Sequence, residues 1–146
     1  MNKKVFGKIG ENIAEHYLES KEYEIVCKNY YTKKGEIDVI AKKDKKLFFV
    51  EVKTRSNFNY GMPSEAVNYK KIKHMKTAAK IFLSLNKKYW KYEFYFDVIE
   101  IVFKNGKCLI NHIKKIIWNI FLELLFIIKK CSIIIEPWRR NEKNEW

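Results

Sequence analysis

The sequence predicts an α/β fold, a sheet covered by helices in the order helix, three strands, helix, strand. Three observations predict it: an apolar stripe of helical period opens the chain, three β-branched and aromatic runs follow with short polar breaks, and a long amphipathic stretch then leads into another apolar run. At 146 residues the chain suits one domain and can bury a core without disulfide or metal staples.

The first helix is expected over residues 5–20. Phe6, Ile9, Ile13, Tyr17 and Leu18 recur at helical spacing, while Lys8, Asn12, Glu15 and Glu19 fall elsewhere. Gly7 and Gly10, near its start, let another part of the chain come close. Residues 23–31 (YEIVCKNYY) have the composition of a strand, and Thr32, Lys33 and Lys34 that of a turn. Residues 35–42 and 47–54 read as two further strands joined by the polar residues 43–46, an antiparallel hairpin. After a loop at 56–62, Pro63 opens a helix over 63–85, because proline suits a first turn. Its expected core face is Ala66, Tyr69, Ile72, Met75, Ala79 and Phe82. Residues 93–103 form a strand, Asn105 and Gly106 a turn, and 107–112 a short strand that completes the sheet.

The tail differs in kind. Residues 116–128 are strongly apolar and broken only by Asn119 and Glu123. They are too few to span a bilayer, and an extra C-terminal apolar helix packed on the domain or on a second subunit is expected. A membrane-surface segment, flanked by lysines, is the competing reading.

The net charge of +13 favours anionic partners, nucleic acid or an anionic membrane surface. Only Arg55, Arg139 and Arg140 are arginines, and a chain so rich in Lys, Ile, Asn, Phe and Tyr also follows from an AT-rich genome, so the placement of the charge matters more than its sum. Cys27, Cys108 and Cys131 are scattered and odd in number, and His16, His74 and His112 lack ligand spacing with them, which disfavours zinc and disulfides. Free thiols and an N-terminus without a signal-peptide core point to the cytoplasm. No phosphate-cradling glycine loop, H-E-x-x-H helix or Ser/His/Asp triad is visible.

The chemistry concentrates on the hairpin. In strand 47–54, Phe48, Val50 and Val52 point one way and Leu47, Phe49, Glu51 and Lys53 the other. A carboxylate and an ammonium thus sit in an apolar strand, where burying either alone costs several kcal/mol. On the partner strand, Ile37, Val39 and Ala41 share one face and Glu36, Asp38 and Ile40 the other. With the loop at 43–46, Lys42 faces Leu47, and the same register sets Asp38 opposite Glu51, with Cβ atoms about 4.5–5.5 Å apart. A divalent cation resolves their repulsion: two carboxylates on a rigid hairpin are hard oxygen ligands that leave positions open for water and phosphate, the usual mode for magnesium. Lys53, one pleat from Glu51, is placed to orient the attacking water or neutralise developing charge. The plainer reading is a partly exposed Glu51–Lys53 ion pair with Asp38 solvated at a sheet edge. Glu11 borders the core-facing stripe of the first helix, placed either to point at the sheet or to remain a surface glutamate.

The runs Gly35-Glu36-Ile37-Asp38-Val39-Ile40-Ala41 and Phe49-Val50-Glu51-Val52-Lys53-Thr54-Arg55 resemble the YraN-like family of bacterial endonuclease-related proteins. That family is itself similar to Holliday-junction resolvases of the PD-(D/E)XK nuclease superfamily. Gly10-Glu11, Ala14, Tyr17-Leu18, Gly61-Met62-Pro63, Glu65-Ala66-Val67 and Phe96-Asp97-Val98 extend the likeness over roughly residues 5–115. The resemblance implies a restriction-endonuclease-like core with a mixed sheet, in a domain over 1–115, with 116–146 a C-terminal extension of unassigned role. It implies a magnesium- or manganese-dependent endonuclease in which Asp38, Glu51 and Lys53 are catalytic and Glu11, Asp38 and Glu51 hold the metal. Ile37 stands where the superfamily's name-giving proline precedes the aspartate.

Basic residues mark where nucleic acid is expected. Lys70, Lys71, Lys73, Lys76 and Lys80 lie on the second helix, Lys42, Lys43, Lys45 and Lys46 around the hairpin loop, and Arg55 just beyond the catalytic strand. Of these, Lys43, Lys45, Arg55, Lys70, Lys73, Lys76 and Lys80 are the expected contacts, and a solvated face is the alternative for each run. Lysine dominance favours phosphate contact over base reading, hence selection of DNA structure, branched or single-stranded, rather than sequence. Tyr30, Tyr31, Phe58 and Tyr60 are placed to stack unpaired bases or to pack on the sheet. Resolvase dimers, matched to the two-fold symmetry of a junction, suggest a homodimer by analogy. Two other functions compete: a non-catalytic nucleic-acid-binding module of the same fold, and a membrane-surface or scaffold protein.

Overall fold

A computed structural model describes residues 2–56 and 69–116, with Tyr69 described by its backbone alone. Helix α1 spans Lys3–Ser20 and is capped by Asn2, whose side chain accepts the Lys4 N–H at 3.0 Å. Strands β1 (Glu24–Thr32), β2 (Gly35–Lys43) and β3 (Lys46–Arg55) follow, then helix α2 (Tyr69–Leu85), a short 3-10 turn at Lys87–Tyr89, and strands β4 (Glu93–Lys104) and β5 (Lys107–Ile113). The expected beginning of the second helix, 63–68, and the tail from 117 onward lie outside the described residues.

The five strands form one mixed sheet in chain order. β1, β2 and β3 pair antiparallel, α2 lies on the crossover that makes β4 parallel to β3, and β5 returns antiparallel. The hairpin register is the one the sequence dictates: Lys43 faces Lys46, Lys42 faces Leu47 and Val39 faces Val50. The turn is tighter than expected, with only Asp44 and Lys45 outside the strands and Asp44 at φ 54, a conformation aspartate tolerates. The central strands are buried on both faces, Leu47 to Glu51 in β3 and Phe96 to Val102 in β4. That is the pattern of parallel strands covered by helices on each side.

One cluster lies under α2, joining Ile37, Ile40, Leu47, Phe49 and Phe96 to Met75, Ala78, Ala79, Phe82 and Leu83. The other lies under α1, joining Ala14 and Leu18 to Val39, Ala41, Val50, Ile99 and Ile101. Two expectations are corrected. α1 buries Leu18 and packs Ile13 and Tyr17 against the sheet as expected, but Ile9 stays exposed, and the small residues Gly10 and Ala14 are buried beside them. A Cβ on Gly10 would stand 1.8 Å from Thr54 Oγ1, so the close approach the sequence suggested is real at Gly10, whereas Gly7 faces open space. Ile37 joins the α2 cluster with Ile40 instead of sharing a face with Val39 and Ala41, because strict alternation fails where β2 stops pairing with β3. Among the described residues no helix is long and apolar enough to cross a membrane, and Cys27 and Cys108 are free thiols.

Candidate active site

The main-chain pairing of β2 with β3 ends at Val39 and Val50. At the next position the carboxylate of Asp38 takes over, its Oδ2 accepting the Val52 N–H at 2.7 Å. This fixes Asp38 against β3 beside Glu51. Glu51 is almost fully buried, its side chain 2% exposed. Lys53 Nζ lies 2.9 Å from Glu51 Oε1, and Lys71 Nζ, arriving from α2, lies 3.1 Å from Oε2 and 2.9 Å from Glu36 Oε1. A cavity of about 790 Å3 opens on this cluster, and Glu11, Asp38, Glu51, Lys53, Arg55 and Lys71 are among the residues that line it.

The electrostatics follow from burial. Desolvation, and then the neighbouring Glu51 carboxylate, push the Asp38 carboxyl up from 3.8 to about 7, against the opposing pull of the Val52 N–H and Lys71. Burial alone would lower Lys71, but the surrounding carboxylates Glu36, Glu51 and Asp38 outweigh it and hold the ammonium above its usual value. The plainer reading of a solvated acid and a partly exposed ion pair therefore meets a different geometry: Glu51 and Lys53 do pair, but around a buried carboxylate.

The donor set fits a hard divalent cation. Asp38 and Glu51 offer carboxylate oxygens on adjacent strands, close enough that each acid's charge acts on the other. Glu11 shares the cavity, but its carboxylate is engaged by Lys8 at 3.2 Å. Among the described residues no three His, Cys, Asp or Glu side chains group closely enough to hold a metal, so the site is an acid pair with Glu11 nearby.

The expected nucleic-acid contacts divide. Lys70 and Lys73 are exposed on α2, and Lys76 and Lys80 partly so. Lys43 and Lys45 belong to the far end of the hairpin: six residues separate Lys45 from Glu51, about 20 Å of strand, so they do not flank the cavity. Lys43 instead contacts the Lys21 carbonyl at 2.8 Å and Glu22 at 3.3 Å. Arg55 lines the cavity but is held by Glu100, with Nε 2.7 Å from Oε1. Of the aromatics, Tyr30 packs edge-on against Phe82 with ring centres 5.3 Å apart, and Tyr31 is exposed. Phe58 and Tyr60 lie outside the described residues.

Two residues that line the cavity, Lys71 and Glu36, were missed by sequence reasoning as site residues. Lys71 read as one more lysine of a basic helix, and Glu36 as sharing a strand face with Asp38 without a role in the site. Outside the cavity, Asp97 and Glu100 carried a usable signal, since acids within the apolar run of β4 demand partners. Asp97 finds His112 Nε2 at 2.9 Å and the Lys115 N–H at 2.8 Å, which ties β5 and the chain after it to β4.

Fold and site together define a mixed α/β protein with a buried carboxylate–lysine cluster where a hairpin opens. The chain belongs to the Uncharacterised protein family UPF0102, whose model matches residues 10–101. It is 47% identical over 116 residues to a UPF0102 protein of Caldicellulosiruptor bescii, covering 80% of this chain and 94% of that one. It is 46% identical over 117 residues to one of Alkaliphilus oremlandii, covering 78% and 97%. A UPF0102 protein of Syntrophomonas wolfei matches at 42% over 113 residues, covering 77% and 96%.

Proposed function

We propose that this protein is a metal-dependent endonuclease-like protein of the restriction-endonuclease-like, PD-(D/E)XK class, acting on branched or single-stranded DNA by phosphodiester hydrolysis. The observation that carries the reading is the convergence of Asp38, Glu51 and Lys53 on one cavity at the open end of the β2–β3 hairpin. Asp38 and Glu51 would hold Mg2+ or Mn2+, which supplies Lewis acidity toward water and phosphate and neutralises charge between them. Lys53 is anchored by Glu51 yet still a third exposed, so its ammonium can orient a water or neutralise a phosphate oxygen at the cavity wall. Val52 holds the Asp38 carboxylate in place through its main-chain N–H. The exposed lysines of α2 supply a backbone-tracking surface beside the cavity, with Lys71 of the same helix on its wall.

A non-catalytic nucleic-acid-binding module is the second reading. It is favoured by the two ammonium groups that already engage both oxygens of Glu51. Labelled duplex, single-stranded, flap and four-way-junction DNA, incubated with magnesium or manganese, separate the two. Cleavage of a branched or single-stranded substrate that Lys53→Ala abolishes supports the enzyme. Salt-sensitive binding without cleavage under either metal supports the module.

A further inference from the structure

Lys71 stands apart from the other lysines of its helix. Lys70 and Lys73 face solvent, but the Lys71 side chain is 20% exposed and reaches down to the acid pair. Its partner atom is unusual. Glu51 Oε2 is buried away from water and makes no hydrogen bond of good geometry, so the 3.1 Å approach of Lys71 Nζ is a contact of charge against charge. Lys53 meanwhile occupies the other oxygen, Oε1. Glu36, half exposed at the cavity rim, holds Lys71 Nζ at 2.9 Å from the opposite side. A desolvated ammonium is costly unless its charge is used, and here it lies against the oxygen that a divalent cation would need.

We infer that Lys71 is a built-in counter-cation of the acid pair: it holds Glu51 Oε2 until a divalent cation displaces it, and Glu36 retains the displaced ammonium at the cavity wall. This rests on the metal-site reading above and adds to it a competition within the chain. Two opposite consequences follow. Removing the Lys71 charge takes a like charge away from the incoming ion, so metal binds more tightly. Removing the Glu36 charge takes away the carboxylate that draws Lys71 toward the cavity rim, so the ammonium holds to Glu51 more firmly and metal binds more weakly.

The test is a calorimetric titration of the protein with Mn2+, paired with thermal melts in chelator. Lys71→Met is expected to bind Mn2+ about tenfold more tightly than wild type or better, and to melt lower than wild type in chelator. Glu36→Gln, at an exposed position that tolerates change, is expected to bind several-fold more weakly, and Lys71→Arg, which keeps the charge, within about twofold of wild type. If Lys71→Met folds poorly, Lys71→Gln takes its place and Glu36→Gln still reads the opposite sign. Unchanged or weaker Mn2+ binding by Lys71→Met, or by Lys71→Gln in its place, overturns the competition while leaving the metal site standing, provided that wild-type binding is lost in Glu51→Gln. Absence of Mn2+ binding in wild type and variants alike overturns both the competition and the metal-site reading.

Discussion

Replacing Asp38 with asparagine should stabilise the metal-free protein at pH 8 and leave it unchanged at pH 4. Asparagine keeps an oxygen for the Val52 N–H and removes only the charge. The sign follows from the direction of the shift. The Asp38 carboxyl titrates at about 7 in the folded chain against 3.8 as its ordinary value, raised by burial and then by Glu51. Below pH 4 both folded and unfolded chains hold the proton and nothing is lost. Between pH 4 and 7 the unfolded chain ionises first, so stability falls as pH rises, and above 7 the full penalty is present. A shift from 3.8 to about 7 corresponds to at most about 4 kcal/mol, at 1.36 kcal/mol per unit. Because Asp38 and Glu51 share the interaction, about 2–3 kcal/mol is expected for Asp38 alone. Urea denaturation in chelator from pH 4 to pH 8 reads this directly, and melts should show roughly 5–10 °C at pH 8. Saturating Mg2+ should then close the gap by stabilising wild type and not Asp38→Asn. A variant less stable than wild type at pH 8, or a difference independent of pH, would refute the electrostatic reasoning.

Gly10→Ala should cost about 1–3 kcal/mol, because the new methyl meets Thr54; adding Thr54→Ala should recover at least half of that, measured as a non-additive pair of melts. Glu100→Gln should destabilise by about 3 kcal/mol by removing the buried carboxylate that meets the Arg55 guanidinium at 2.7 Å, seen as a lower urea midpoint with unchanged slope. Lys73→Ala should weaken DNA binding across substrates and reduce the slope of log affinity against log salt by about 1, whereas Lys43→Ala, at the far end of the hairpin, should leave both unchanged in a fluorescence-anisotropy titration.

What the sequence revealed of this fold is what local periodicity controls. The hairpin register was legible because a short polar break between two apolar runs leaves little freedom in pairing; it carries Asp38 to the end of the ladder, where the Val52 N–H, not a main-chain pair, fixes it beside Glu51. The central strands were legible as apolar runs, and the helices as amphipathic ones. The rest depends on how elements dock. Lys71 differs from Lys70 and Lys73 only in the turn of α2 that faces the sheet. Its role needs the position of α2 over β2, which no local pattern states. The Arg55–Glu100 pair joins β3 to β4 across a long crossover, so its register was not readable from either strand alone. On α1 the stripe found Leu18, Ile13 and Tyr17 but misplaced Ile9, and the burial of Gly10 against Thr54 is a docking contact that a pattern of large apolar residues does not mark. The hairpin lysines looked near the site only because sequence distance hides the length of an extended strand.

The central claim is that Asp38, Glu51 and Lys53 form one metal-dependent hydrolytic site, and single-turnover cleavage of a labelled four-way junction in Mg2+ tests it most directly. Glu51→Gln and Lys53→Ala should each lower the cleavage rate by a factor on the order of 100 or more while binding the junction within about threefold of wild type. Equal cleavage by wild type and both variants would contradict the account, because the hydrolysis would then owe nothing to the carboxylate and ammonium at its centre.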